Sequence, residues 1–206
     1  LILEAHPEEE ERVLAEYRSR IKTIRSVEAF DKWIQSAQTG EDVEIDVKAF
    51  GMDNFMNLVM HRLLAYGFEV NVVTSQWGNQ QVYFARKGFE QSLPGVPLYT
   101  RKGAVSLHTH PQKFESLTNP QVVSEADLAA GSIFEGDRQY ALQIREGVLE
   151  LGEYTSSGKR EDVLIYKQGS REKRGDVSSQ LRRAFFPGAR GEVRTRWYHS
   201  KITGKW

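Results

Sequence analysis

The amino-acid sequence predicts an α+β fold: a mixed β-sheet with flanking helices over residues 49–168, a helical N-terminal extension over residues 1–48 and a basic C-terminal extension over residues 169–206. Three observations carry this. Apolar residues recur at helical spacing before residue 40, whereas a period of two takes over at residues 42–47 and returns in separate segments as far as residue 166. Helical segments fall between these strands as well as before them, the order expected of a mixed sheet. A chain of 206 residues is also long enough to bury one substantial core.

From Pro7, an acidic first turn (Glu8 to Glu11) followed by a basic later half suits the helix macrodipole. Val13, Leu14, Tyr17, Ile21 and Ile24 form one apolar stripe, and Val27, Phe30, Trp33 and Ile34 continue the period until Thr39-Gly40. This predicts two helices or one bent helix. Residues 42–47 alternate strictly and read as a short, half-exposed strand. Asp53 is the expected N-cap of a helix that runs through Leu58 and Leu63 to Gly67. Residues 68–73 and 80–85 predict a hairpin turning near Gly78. A loop rich in Pro and Gly at residues 93–97 leads into a strand at residues 103–108. Ser124 opens a short helix through Leu128, and strands follow at residues 138–145, 148–154 and 163–166, the first two joined at Glu146-Gly147. There is no internal repeat.

Composition narrows the chemistry. No cysteine is present, which excludes disulfides and thiolate metal sites, so a bound metal needs His, carboxylate or water ligands. No run of about 18 apolar residues occurs, so no membrane association is expected. The start, Leu1 to Glu4, lacks a basic region followed by an apolar core, and no signal peptide is expected.

Two of the five histidines, His108 and His110, stand one residue apart in the run VSLHTHP, residues 105–111. In a strand, residues i and i+2 point to one side, so the two imidazoles emerge together while Val105 and Leu107 face a core. Pro111 cannot donate to a ladder, which puts the imidazoles at the strand exit. Asp127 is the natural third ligand, because a helix opened by Ser124 would start near that exit. Two histidines and a carboxylate plus a water form a catalytic zinc set, with a separate carboxylate to take the water's proton and a hydroxyl such as that of Ser124 to stabilise an oxyanion. Ser124-x-x-Asp127 alone also reads as a helix capping box, and alternate polar residues on a strand also read as a solvated face.

The combination His108-x-His110-Pro111 followed by Ser124-x-x-Asp127 resembles the JAMM signature of the JAB/MPN metallopeptidase superfamily. That resemblance implies that His108, His110 and Asp127 bind Zn2+, that Ser124 supports the oxyanion, and that an upstream glutamate is the general base. The implied reaction is hydrolysis of a peptide or isopeptide bond in a protein or peptide substrate. The family's order of helix, glutamate-bearing strand, hairpin and histidine strand assigns the base to Glu69, with Glu90 and Glu44 as alternatives. Residues 124–130, 147–151 and 154–159 look like the bacterial JAB-like domains at the ends of polymorphic toxins. A toxin or effector domain, cytoplasmic or delivered by a secretion system, is the setting this implies. The resemblance spans about residues 50–160. A cupin-type set of His108, His110 and Glu115 is a rival, but the second cupin motif is absent after Arg138 and the helices before the site fit a barrel poorly.

Net charge is zero but unevenly distributed: acidic residues dominate the first fifty, and basic ones follow Arg160. The tail, residues 171–206, interleaves Arg171, Arg182, Arg183, Arg190, Arg194 and Arg196 with Phe185, Phe186, Trp197, Tyr198 and Trp206. Such a segment can dock on the acidic N-terminal helices, on a partner protein, or on nucleic acid by gripping phosphates and stacking on bases. A non-catalytic assembly or nucleic-acid-associated module that binds through its extensions is therefore the second functional reading.

Overall fold

In a computed structural model, residues 7–88, 104–111, 121–131, 138–155, 158–169 and 176–189 are described. The 93–97 loop, Glu90, Glu115 and the tail beyond residue 189 lie outside them.

Alternating segments assemble into one eight-stranded sheet: β1 (Lys22–Ile24), β2 (Asp42–Ile45), β3 (Val70–Trp77), β4 (Gln80–Lys87), β5 (Val105–Thr109), β6 (Arg138–Arg145), β7 (Val148–Tyr154) and β8 (Leu164–Lys167), in the order β1-β2-β4-β3-β5-β6-β7-β8. β1/β2 and β5/β6 pair in parallel and the other neighbours antiparallel, so the sheet is mixed and the fold is α+β. Both hairpins turn where the chain accepts a positive φ: Gly78 at 59° between β3 and β4, and Glu146 at 51° with Gly147 at 78° between β6 and β7.

The two faces of the sheet differ. One carries Val43, Val72, Tyr83, Leu107, Tyr140, Leu142 and Leu151. It is covered by α2 (Val27–Ser36), α3 (Val47–Phe50), the helical run of α4 (Met52–Asn57), a π-turn at Leu58–Arg62 and α5 (Leu63–Ala65), and by a C-terminal helix (Val177–Phe185). Phe30, Phe55, Leu63 and Phe185 are fully buried there. On the opposite face, α1 (Pro7–Ser19) places Leu14 and Tyr17 against Val73, Trp77, Val82 and Phe84, and α6 (Glu125–Gly131) adds Leu128 beside Ala141 and Tyr154. The C-terminal helix is α7. No described helix is long and apolar enough to cross a membrane.

Four local expectations change. The first helix stops at Ser19, and Lys22–Ile24 pairs with β2 instead of continuing the helical stripe, because Ile24 gains a buried place opposite Ile45 at the sheet edge. The 42–47 segment is not half-exposed. Glu44 is buried, and Asp42 and Glu44 are held by α1 and β4: Tyr17 donates its hydroxyl to Asp42 at 2.5 Å, Arg18 makes a two-pronged bond to Glu44 at 2.8 Å, and Arg86 pairs with Asp42. Asp46, not Asp53, is the capping carboxylate here; it accepts from Ala49 N–H at 3.3 Å, and Asp53 lies in the first turn after Gly51. Finally, part of the basic tail is core. In α7, capped by Asp176, the buried residues Val177, Leu181, Ala184 and Phe185 face the sheet, and Tyr83 donates to the Phe185 carbonyl at 2.6 Å.

Candidate metal centre

β5 splits its residues as its alternation requires: Val105 and Leu107 enter the apolar core, and His108 turns to the opposite face, where only 3 % of it is exposed. Pairing with β6 continues one residue past the strand, since His110 N–H donates to the Leu142 carbonyl at 2.9 Å. That bond holds the second imidazole beside the first. On the other side, Val70 N–H donates to the Thr109 hydroxyl at 3.0 Å, which ties the strand exit to β3.

Asp127 arrives from α6, and its local role and its place in the site are the same interaction. Ser124 N–H donates to Asp127 Oδ2 at 2.8 Å, while Asp127 N–H donates to the Ser124 hydroxyl at 3.1 Å. This reciprocal capping box locks the carboxylate rotamer over the helix N-terminus. What seats that turn on the sheet is a gap in the side-chain layer. Ala141 lies opposite His108 on β6 and Gly152 opposite Ala141 on β7, and a Cβ added at Gly152 would stand 2.3 Å from Val123 and 2.9 Å from Val122. The glycine therefore admits the Val122 and Val123 side chains directly onto the strand. Arg160 fastens the same turn, donating to the Val123 carbonyl at 2.6 Å and pairing with Glu125 at 2.5 Å.

The result is three ligand-type side chains with all donor atoms within 4.8 Å of one another. His108 Nε2 and His110 Nε2 are 3.0 Å apart; His108 Nε2 is 3.1 Å from Asp127 Oδ1, and His110 Nε2 is 3.4 Å from Asp127 Oδ2. Zinc–ligand bonds of about 2.0–2.2 Å in a tetrahedron separate ligand atoms by about 3.3 Å, so this spacing suits one small cation. Donor chemistry agrees. His110 Nδ1 lies 3.4 Å from Gln143 Oε1, an acceptor; a ring proton on Nδ1 would leave the Nε2 lone pair facing a carboxylate oxygen. A cation between these atoms would satisfy both. The residues thus form a buried group able to bind a metal ion.

Of the expected site residues, the fold gathers His108, His110 and Asp127, with Ser124 bonded to the last. Glu69 stands outside the ligand cluster, half-buried and one residue before β3. Its carbonyl accepts from Gly88 N–H at 3.1 Å, so the β3/β4 ladder still holds there. Two residues on, Asn71 pairs with His108. Glu44 is removed as a base: Arg18 engages it, and it lies three strand spacings, about 14 Å, from β5. Sequence reasoning missed Gly152 and Gln143. A lone glycine inside a strand was the available signal for the first; the second required knowing the β5/β6 register. Among the other described histidines, His61 is exposed on the π-turn.

Comparison of the chain with protein-family models, with curated proteins and with solved structures gave no match.

Proposed function

We propose that this chain is a zinc-dependent hydrolase of the JAMM type that cleaves a peptide or isopeptide bond, as a domain of a toxin or effector. The observation that supports the reading is the convergence of two imidazole Nε2 atoms and one carboxylate at 3.0–3.4 Å, built from His-x-His at a strand exit and Ser-x-x-Asp at a helix start. His108, His110 and Asp127 would hold the ion. Bound there, zinc supplies Lewis acidity, lowering the pKa of a coordinated water toward about 7 and polarising a carbonyl.

The remaining work falls to the chain's own groups. Glu69, outside the ligand set, would accept the water's proton and pass it to the leaving amine. Ser124 keeps its hydroxyl proton while its oxygen accepts from Asp127 N–H, so it has a donor to offer a developing oxyanion. Burial of His108 and Asp127 keeps bulk water from competing for the ligand positions.

Glu69→Gln separates binding from chemistry. The variant should retain one zinc per chain while hydrolysis of an isopeptide-linked or peptide reporter falls by about 10²–10⁴-fold. Unchanged turnover in Glu69→Gln would refute Glu69 as the base, and absence of hydrolysis in zinc-loaded wild type across such reporters would refute the hydrolase reading.

A further inference from the structure

Gln143 is an oddity on the histidine face. It follows Ala141 on β6 with the period of two, lies opposite Glu150 on β7, and only 5 % of it is exposed. Its Oε1 is 3.4 Å from His110 Nδ1. Its Nε2 is buried and has no hydrogen-bond partner among the described residues. A buried amide with half of its capacity unused is destabilising, and methionine would fill the same volume without that cost. The group is explained if the oxygen is the useful half.

We propose that Gln143 is the positioning residue of the metal centre: through Oε1 it fixes the proton of His110 on Nδ1 and aims the Nε2 lone pair at the ion. The inference rests on the metal reading of His108, His110 and Asp127. A histidine ligand needs its second nitrogen anchored, and an outer acceptor both selects the tautomer and sets the ring plane. His110 needs this more than His108. The His108 side chain is 4 % exposed and sits on the strand proper, with the Tyr154 ring 6.4 Å away; the His110 side chain is 18 % exposed and stands one residue beyond the strand. An amide serves here without adding charge. Asp127 already contributes one negative charge, and a second carboxylate in place of Gln143 would neutralise a divalent ion completely and weaken its pull on a carbonyl. If the amide were turned round, Nε2 would donate to Nδ1, the ring proton would move to the metal-facing nitrogen, and His110 could not ligate. The orientation of one side chain thus decides whether the site has three ligands or two.

The test uses the full chain with zinc and with cobalt as a spectroscopic probe. Gln143→Met removes the acceptor at nearly constant volume, and Gln143→Glu restores one. The expected result for Gln143→Met is a zinc affinity, measured by chelator competition, 10–100-fold weaker than wild type, with an altered cobalt visible spectrum and an unchanged or higher thermal midpoint without metal. Gln143→Glu should recover the affinity, and ¹⁵N spectra of the zinc-loaded wild type should place the His110 proton on Nδ1. The proposal is overturned if Gln143→Met binds zinc within about twofold of wild type with the same cobalt spectrum. It is overturned equally if Gln143→Met lowers the metal-free midpoint, which would make Gln143 a packing residue, or if the proton is found on Nε2. Failure of wild type itself to bind zinc would instead strike the metal reading on which this rests.

Discussion

Two buried charged clusters share one face of the sheet, and they solve opposite problems. At the β2 side, Asp42 and Glu44 meet Arg86 and Arg18, with Tyr17 donating a further hydrogen bond. Two carboxylates face two guanidiniums, so the charges cancel within the protein. Near β5, His108, His110 and Asp127 bring three possible ligand atoms within 4.8 Å of one another. The first cluster pairs its charges and fastens α1 to the sheet; the second could hold a metal ion. Burial of charge is therefore no sign of function by itself, since structural ion pairs bury charge as well. What marks the β5 cluster is three ligand-type side chains with their donor atoms within 4.8 Å of one another.

The contrast can be broken from either side. Arg86→Met removes the buried guanidinium that pairs with the half-buried Asp42 carboxylate between β2 and α1. Loss of one partner of a buried pair costs about 3–5 kcal/mol, so chemical denaturation should show a drop of that size while zinc content stays the same. A drop below about 1 kcal/mol would make that cluster as peripheral as a surface salt bridge. Zinc acts on the other cluster. At a free concentration about a hundred times Kd it should stabilise the wild type by about 2.7 kcal/mol, or raise the thermal midpoint by roughly 5–10 °C for a chain of this size. No midpoint shift is expected in Asp127→Asn, whose amide is a poor ligand; a wild-type-sized shift there would move the binding site elsewhere.

A smaller effect belongs to the apolar face. Burial pushes the Tyr83 phenol from 10.0 up to about 12, outweighing its hydrogen bond with Thr74, which acts the other way. A raised pKa means that the neutral form is preferred in the fold, so this contribution is complete below pH 10 and disappears as pH climbs toward 12. Tyr83→Phe should lose about 1 kcal/mol at neutral pH, from the bond to the Phe185 carbonyl, and should show less loss of stability than wild type between pH 10 and 12. Parallel alkaline profiles for the two proteins would contradict that assignment.

Strands were legible where alternation ran long enough to be distinctive. The β6/β7 hairpin follows from period two on either side of Glu146-Gly147, and β5 from the contrast of Val105 and Leu107 with His108. Ser124 and Asp127 were legible because the capping box that shapes α6 also aims the carboxylate. The three residues of β1 are too short for a period, and only their pairing with β2 makes them a strand. In α7, the buried Val177, Leu181, Ala184 and Phe185 keep helical spacing but sit among arginines that dominated the reading of that segment as a charged extension. The burial of Glu44 and the pairing of Asp42 depend on α1 crossing from far along the chain, and the roles of Gly152 and Gln143 depend on register; none of these is a local property of the sequence.

The most direct measurement is the metal content of protein purified without chelators, wild type beside His108→Ala. About one zinc per chain in the wild type and none in His108→Ala is the predicted pair of results. Wild-type protein free of zinc that takes up none on addition of the ion, or His108→Ala that retains a full equivalent, would contradict the claim that the β5 cluster is a metal centre.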